Sequence, residues 1–476
     1  MNRSHFAVLD SATYLWTTLG LPVEALDSLN LVDDGEYLPS SFKVDHLAQS
    51  FISVSALSAA LFRSLRNHTP VPKVTVSAEH ACVEFKSERL YTLDGRLASP
   101  PWGTIGGLHK TNDGYVRMHD SFPNHRSNAL KILGLAEDAT REDVAKKVLE
   151  QKSLDMENEA FRKGAVIVAL RSFEQWDKLP QAEAVADEPV LVKKVSDTAP
   201  YAGRGSAAEG GKCLQEIRVV EMSRVIAAPV AGKTLAAHGA DVIWVTSPTL
   251  PDLPDLDRDL ARGKRTIQLD IKKHEDKEAL LELLRTADVF LQSYRPRSLA
   301  SHGLSKEELV KANPNLIVAN LSAWGLNGVW STNRGFDSLV QACSGINVAE
   351  AERYGAGEAS RVLPCQALDH GAGYLLATSI IAALYRRATD GGAYEVHVSL
   401  AGVMKYLRSL GQYPGKHGFK RRDFTTPEQV EKYLEARMTD FGMLKAVKHS
   451  AAIQGVEVGW DIMPKPLGSD EAVWLE

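Results

Sequence analysis

The chain of 476 residues repeats one pattern of its own. Leu38-Pro39, Asp45-His46, Ala59-Ala60-Leu61, Arg63 and Val74-Thr75-Val76-Ser77 return as Leu363-Pro364, Asp369-His370, Ala382-Ala383-Leu384, Arg386 and Val396-His397-Val398-Ser399. The offset is 324 at the aspartates, 323 at Ala-Ala-Leu and 322 at Val-x-Val-Ser, the drift that small loop deletions produce. Self-similarity of this kind constrains architecture before any local reading does. Each copy predicts an aspartate, a long apolar helix and then a strand. Only 44 residues precede Asp45, too few for the β–α units that precede Asp369. The chain therefore holds two related pieces, each incomplete in a different place.

Between the copies, Ala199 to Gly211 is small and polar without apolar period, and predicts a linker. Gly203 and Gly205 are spaced like the start of a dinucleotide fingerprint, but no strand precedes them and no apolar helix follows. Beyond the linker, strand runs at Ile217–Met222, Val242–Val245, Thr266–Leu269, Val289–Leu291 and Leu316–Ala319 alternate with helical stretches such as Ala227–His238. This alternation predicts an α/β fold, a doubly wound, mostly parallel sheet that binds ligands beyond the carboxyl ends of its strands. The expected division is 1–85, a partial first copy with the Asp45 motif; 86–195, a smaller α+β domain; 196–213, the linker; 214–405, the large sheet domain; and 406–476, a connector and closing segment.

Composition narrows the function classes. Lys plus Arg number 55 against 60 Asp plus Glu, a net charge of −5 that argues against a broad nucleic-acid surface. No apolar run of the roughly 20 residues needed to cross a bilayer is expected, and the N-terminus lacks the apolar core of a secretory signal. A soluble, cytoplasmic protein is expected, with a mitochondrial or peroxisomal location left open. Cys82, Cys213, Cys343 and Cys365 are far apart in the sequence, so buried reduced thiols are expected rather than a metal site.

Candidate chemistry gathers in the second copy. Asp369, just before a predicted helix, has two readings: an N-cap, or a nucleophile kept ionised by the helix dipole and able to attack an activated acyl group. His370 faces another way and reads as structural. The turn Arg224–Pro229 offers backbone N–H groups to an anion at a helix start. Arg258, Arg262, Lys264, Arg265, Lys272 and Lys273 concentrate positive charge around one strand, each one taken singly reading as part of a solvated face. Ser293-Tyr294-Arg295-Pro296 follows a buried strand at its carboxyl end, where Tyr294 could cover an adenine ring or pack into the core.

Taken as a set, several motifs are similar to the family III CoA-transferases, the CaiB/BaiF group, which includes formyl-CoA and carnitine-CoA transferases and α-methylacyl-CoA racemases. They are Val219-Val220-Glu221-Met222 with Pro229, Gly239-Ala240-Asp241-Val242-Ile243, and Lys264 to Asp270. Tyr294-Arg295-Pro296, His302-Gly303-Leu304, Gly335-Phe336-Asp337 and Gln341 to Gly345 continue the series to Pro364 and Asp369. The resemblance runs over 214–401 and, less closely, over 38–190 and 430–476. It implies an interlocked CoA-transferase fold with a Rossmann-like CoA domain, and an acyl-CoA:carboxylate CoA-transferase that forms an aspartyl-acyl mixed anhydride on Asp369. By the same resemblance Val225, Ile226, Leu269, Asp270, Ile271, Lys272, Ser293, Tyr294 and Arg295 hold CoA, and Gly106 and Gly107 close over the acyl group. CoA and acyl-CoA then act as substrates with a carboxylic acid, without a permanently bound cofactor or metal. A homodimer or an intrachain pseudo-dimer is expected, and Asp45 is a vestigial or structural partner. Some positions depart from the family: Trp244 and Thr246 replace the usual Lys and Glu, Ser293 replaces an asparagine, and the smaller domain comes first. Phe336 stands where the racemases carry a histidine, which favours transfer because phenylalanine takes no proton. A racemase and an inactive CoA-binding relative remain as alternatives.

Overall fold

The computed structural model describes residues 1–33, 35–100, 102–205 and 211–475. The first copy of the repeat is α1 (Val44–Asn67) and β1 (Val74–Ser77). A region of short strands and helices follows and ends in β2 (Val190–Lys194). Then come β3 (Arg218–Met222), α2 (Ala227–Ala237), β4 (Asp241–Thr246) and β5 (Lys264–Gln268). The series continues through α3 (His274–Thr286), β6 (Val289–Gln292), β7 (Ile317–Ser322) and α4 (Asp337–Cys343). The second copy is α5 (Ala367–Asp390) and β8 (Tyr394–Ser399), with α6 (Leu400–Ser409) after it. The helices α1 and α5 are each 24 residues long and pack on one another.

The fold is mixed α/β. Its largest sheet has seven strands in the order β5-β4-β3-β6-β7-β8-β2. All pair in parallel except β2, which lies antiparallel along β8. Successive strand residues serve opposite faces. Val219, Val289 and Ile317 join α2 and α5 in one apolar core, while Val220, Phe290 and Val318 join Leu280 and Leu284 of α3 in another. Burial on both faces is why these strands read as unbroken apolar runs rather than as alternation. In this order β3, β4 and β5 succeed one another toward one edge of the sheet, and β6, β7 and β8 toward the other.

The C-terminal segment closes against the first copy. Strand Ala451–Ile453 pairs antiparallel with β1, and Gly442–Val447 pairs with Thr92–Leu93. A separate small sheet joins Gly107–Lys110, Tyr115–Met118 and Ile167–Ala169. The segment 196–205 has no regular element, yet both repeat helices hold it. Arg387 of α5 donates to the Tyr201 carbonyl at 3.1 Å, and Arg66 of α1 donates to Arg204 and Gly205 carbonyls at 2.8 and 3.0 Å. The rest of the expected linker includes Ser206–Gly210, which lie outside the described residues.

Two expectations need correction. The helix α5 is long and apolar enough by composition to cross a membrane, with a mean hydropathy of 1.3 over 18 residues, but that stretch is wholly buried inside the protein. Of the six basic residues around β5, Lys272 and Lys273 are exposed as expected and Arg258 is half-buried, but Arg262, Lys264 and Arg265 are not part of a solvated face. Lys264 is paired with Glu221 at 2.9 Å, Arg265 with Asp241 at 2.7 Å, and Arg262 with Asp259, all with buried basic side chains. Burying a charge in a sheet this apolar demands a partner, so a cationic run here reports internal pairing. All four cysteines are free and buried.

Candidate active site

Asp369 lies in the first turn of α5, at the third helical position, and is 6% exposed. The N-cap reading fails, because the cap is supplied from elsewhere. Asp337, the first residue of α4, accepts from the backbone N–H groups of Leu368 and Asp369 at 2.8 and 3.0 Å. Gln341, one turn further along α4, donates to the other oxygen of Asp337. The family-like triplet ending in Asp337 thus holds the start of α5, and frees the Asp369 carboxyl from any capping duty. That carboxyl has no hydrogen-bond partner among the described residues.

The first half of the chain buttresses the same helix end. His370 contacts Glu88 at 2.9 Å, and Arg89 bonds both Glu88 at 2.9 Å and the Gln366 side chain at 3.2 Å. Burial pushes Glu88 up, but His370 and Arg89 outweigh it and hold it down at about 2. Asp369 behaves in the opposite way: burial, then the charges of Asp337 and Glu88, push its pKa well above the ordinary carboxylate range. Asp337 is itself pushed up to about 6 by burial. The charge of Asp337 disfavours a second ionised carboxyl beside it. The expectation that the helix dipole alone keeps Asp369 ionised is therefore overturned; desolvation and like charge outweigh a helix terminus worth about 1 kcal/mol.

Asp369 forms part of the wall of a cavity of about 370 Å³, within the size range of small-molecule sites. Every sequence-identified binding position lines it: Val225 and Ile226 after β3, Leu269 to Lys272 after β5, and Ser293 to Arg295 after β6. These turns meet there because β3, β5 and β6 end on the same side of the sheet. Val225 adopts φ of +74°, a left-handed conformation that costs an L-residue about 1–2 kcal/mol and that for a β-branched side chain is a marked outlier. Strain of this kind clusters where a backbone must present itself to a ligand.

Gly106 and Gly107 are not among the lining residues. A side chain at Gly106 would collide with Asp120, and Gly107, at φ of +107°, packs beneath Arg141. Their small size serves the local sheet in this conformation. Of the six basic residues around β5, only Lys272 reaches the cavity. Asp45 is not among the lining residues: its carboxylate is held by Arg421 and by the Tyr413 hydroxyl, the latter at 3.0 Å.

Several lining residues carried no signal in the sequence. Phe122 and His125 come from the first half of the chain, and Arg334 from a loop of the second; Arg224, from the turn singled out in the sequence, lines the cavity as well. Phe336 stacks on His119 with ring centroids 3.9 Å apart and meets His125 edge-on at 5.8 Å. Burial, then the charges of Arg334, Arg224 and Arg295, push His125 down to about 4, so its ring is neutral near pH 7. Its Nδ1 is buried without a hydrogen-bond partner among the described residues. A histidine therefore borders the place from which the Gly-Phe-Asp triplet seemed to remove one. Only the folded chain joins residues 125 and 336.

Residues 214–432 match the family model described as CoA-transferase family III. An acyl-CoA transferase of Gibberella moniliformis is 29% identical over 312 residues, covering 62% of this chain and 54% of that protein. A probable fatty acyl-CoA transferase of Mycobacterium tuberculosis is 33% identical over 211 residues, covering 42% of this chain and 53% of that one. A crystal structure of a hypothetical protein from Mycobacterium tuberculosis covers 42% of this chain and 57% of its own, at 31% identity and a TM-score of 0.38. The chain thus spans about half the length of the curated relatives it matches. Residues 214–432 are thus similar to CoA-transferase family III.

Proposed function

We propose that the protein moves coenzyme A between an acyl-CoA and a free carboxylic acid, with Asp369 as the acyl-accepting nucleophile. The observation that carries this reading is the Asp369 carboxyl, free of hydrogen bonds, on the wall of a cavity shared by the turns after β3, β5 and β6. The order of the six parallel strands, with its reversal between β3 and β6, supports a doubly wound, Rossmann-like sheet whose crevice takes the nucleotide end of CoA. Lys272, Arg224 and Arg295 supply positive charge for phosphates, and Tyr294 an aromatic face for the adenine.

In the chemical step a carboxylate oxygen of Asp369 attacks the thioester carbonyl. The carbon–sulfur bond breaks, CoA leaves as the thiolate, and an aspartyl-acyl anhydride remains. The thiolate then attacks the aspartyl carbonyl, which releases the first acid and leaves CoA on Asp369. The second acid repeats the exchange in reverse, and Asp369 emerges as it began. Only ionised Asp369 can start this sequence, so a carboxyl whose pKa burial and neighbouring charge push up must first lose its proton.

Asp369→Ala should abolish the transfer. Mass spectrometry of the wild-type chain quenched during turnover should map an acyl or CoA adduct to Asp369. An adduct at another residue, or near-normal turnover by Asp369→Ala, would refute the assignment. His125 favours a second reading, racemisation, because a neutral imidazole beside the cavity is a base of the needed kind. A racemase exchanges the α-proton of a branched acyl-CoA with deuterated solvent, and a transferase does not. An inactive CoA-binding relative would do neither.

A further inference from the structure

Three arginines converge on one neutral histidine at the cavity wall, and all four residues line it. Arg224 donates to the Pro251 carbonyl and lies over the Phe122 ring at 4.2 Å, and Phe122 meets His125 edge-on at 5.4 Å. Arg295 donates to the Thr332 carbonyl at 3.1 Å, two residues before Arg334. One terminal nitrogen of Arg334 lies so close over Gly164 that a Cβ there would come within 2.7 Å of it. The Gly164 carbonyl accepts at 3.2 Å from Asn128, one turn beyond His125 on helix Pro123–Leu133. Among the described residues none of these three guanidiniums has an ion-pair partner, whereas Arg387 is paired with Asp288 at 2.7 Å.

No acid offsets this charge at His125. The charges acting on its ring are those of Arg334, Arg224 and Arg295. His119 faces it with ring centroids 6.5 Å apart and is itself pushed down to about 3 by burial. Its own helix adds only Arg126 and Lys131. On the helices packed against that one, Glu142 is paired with Lys146, Glu157 with Arg171 and Glu159 with Lys163, while Asp143 bonds the Thr140 cap and Asp155 is exposed. Asp120 and Asp337 accept from backbone N–H groups. An imidazole among cations stays neutral because a proton adds like charge, and an anion placed among the same groups reverses that preference. The buried Nδ1 of His125 leaves hydrogen-bonding capacity that no described protein group takes up. Coenzyme A brings such anions, a diphosphate and a ribose phosphate.

We propose that one phosphate group of CoA is held jointly by Arg334 from the second half of the chain and His125 from the first, and that His125 takes up a proton as CoA binds. The proposal rests on the CoA-transfer reading. The guanidinium fork takes two phosphate oxygens and the imidazolium a third, all through charge-assisted bonds. The complex then holds the proton more tightly than the free protein does, so CoA binds more tightly as pH falls and loses that advantage as pH rises.

Calorimetry of CoA with the full-length chain tests this, in pairs of phosphate-free buffers that differ in ionisation enthalpy. The ribose phosphate itself titrates near about pH 6, so the quantity read is the difference between wild type and His125→Gln. At about pH 6 the wild type should take up about half a proton more per CoA than the variant. His125→Gln should bind CoA about fourfold more weakly at about pH 6 and within about twofold of wild type at about pH 8. His125→Asn, checked by melting alongside it, should behave in the same way. Arg334→Gln should weaken CoA binding about tenfold at both pH values, and Arg334→Lys should restore part of it. Dephospho-CoA identifies the group: uptake that persists assigns the diphosphate, and uptake that disappears assigns the ribose phosphate. Equal proton uptake by wild type and the folded His125 variants overturns the proposal, as does unchanged CoA affinity in Arg334→Gln. Loss of α-proton exchange in His125→Gln with CoA affinity intact at both pH values also overturns it, and gives His125 to racemisation. A wild-type chain that binds no CoA sinks the transfer reading itself, a different result from pH-independent binding.

Discussion

Asp369 shows how much a residue's role depends on what surrounds it. In the sequence it is an aspartate before a helix, for which capping and attack were both open readings. The structure gives the cap to Asp337 and leaves the Asp369 carboxyl buried, its pKa pushed up, and without a hydrogen bond among the described residues. The sign of its effect on stability follows. The unfolded chain loses this proton near pH 4, whereas the folded chain keeps it to a much higher pH, so Asp369 contributes most stability in acid and loses it as pH rises through that window. Asp369→Asn should therefore remove activity by about four orders of magnitude while leaving the melting temperature unchanged near pH 4 and raising it at about pH 8. A variant that melts lower than wild type at about pH 8 would show that Asp369 is ionised in the folded protein. Wild-type activity should rise with pH as Asp369, whose pKa is pushed up, gives up its proton, in a rate profile measured at saturating substrate.

The elements were largely legible in the sequence, and the contacts between them were not. Apolar runs located β4, β6 and β7 because strands buried on both faces have few other compositions open to them. The helix α5 was legible through its repeat, and Val225, Lys272 and Arg295 through motifs at strand ends. What escaped were groups joined only by folding: Phe122 and His125 come from a segment over 200 residues before Phe336, and Asp337 caps a helix that begins 30 residues later. The basic run at β5 misled for the opposite reason, since composition does not distinguish a cation facing water from one paired inside a sheet. Lys264 decides that point. Its ammonium and the Glu221 carboxylate are both fully buried, 2.9 Å apart. Lys264→Met should cost about 3–5 kcal/mol by stranding Glu221. Adding Glu221→Leu should recover most of that loss in denaturant melts. No recovery would mean that the charges themselves, rather than their pairing, specify the sheet.

At the scale of the whole molecule the two copies have diverged in use. Asp45 and Asp369 occupy matching first turns of α1 and α5, but Arg421 and Tyr413 occupy the Asp45 carboxylate while the Asp369 carboxyl opens to a cavity. Asp45→Asn should keep transfer activity per folded molecule within about threefold and lower thermal stability, because Arg421 keeps only the more distant Glu36 at 3.7 Å as a charge partner; loss of activity in a well-folded Asp45→Asn would make the first copy a second working site. The division of labour also has a material consequence. The edge strand β2 belongs by sequence to the first half but hydrogen-bonds along β8 of the second, and Ala451–Ile453 returns the exchange by joining β1. Each half is thus clasped by a strand of the other, as two hands are by crossed fingers. Co-produced fragments 1–205 and 211–476 should accordingly elute together by size exclusion and reconstitute catalysis, whereas either fragment alone, with raw sheet margins exposed, should precipitate.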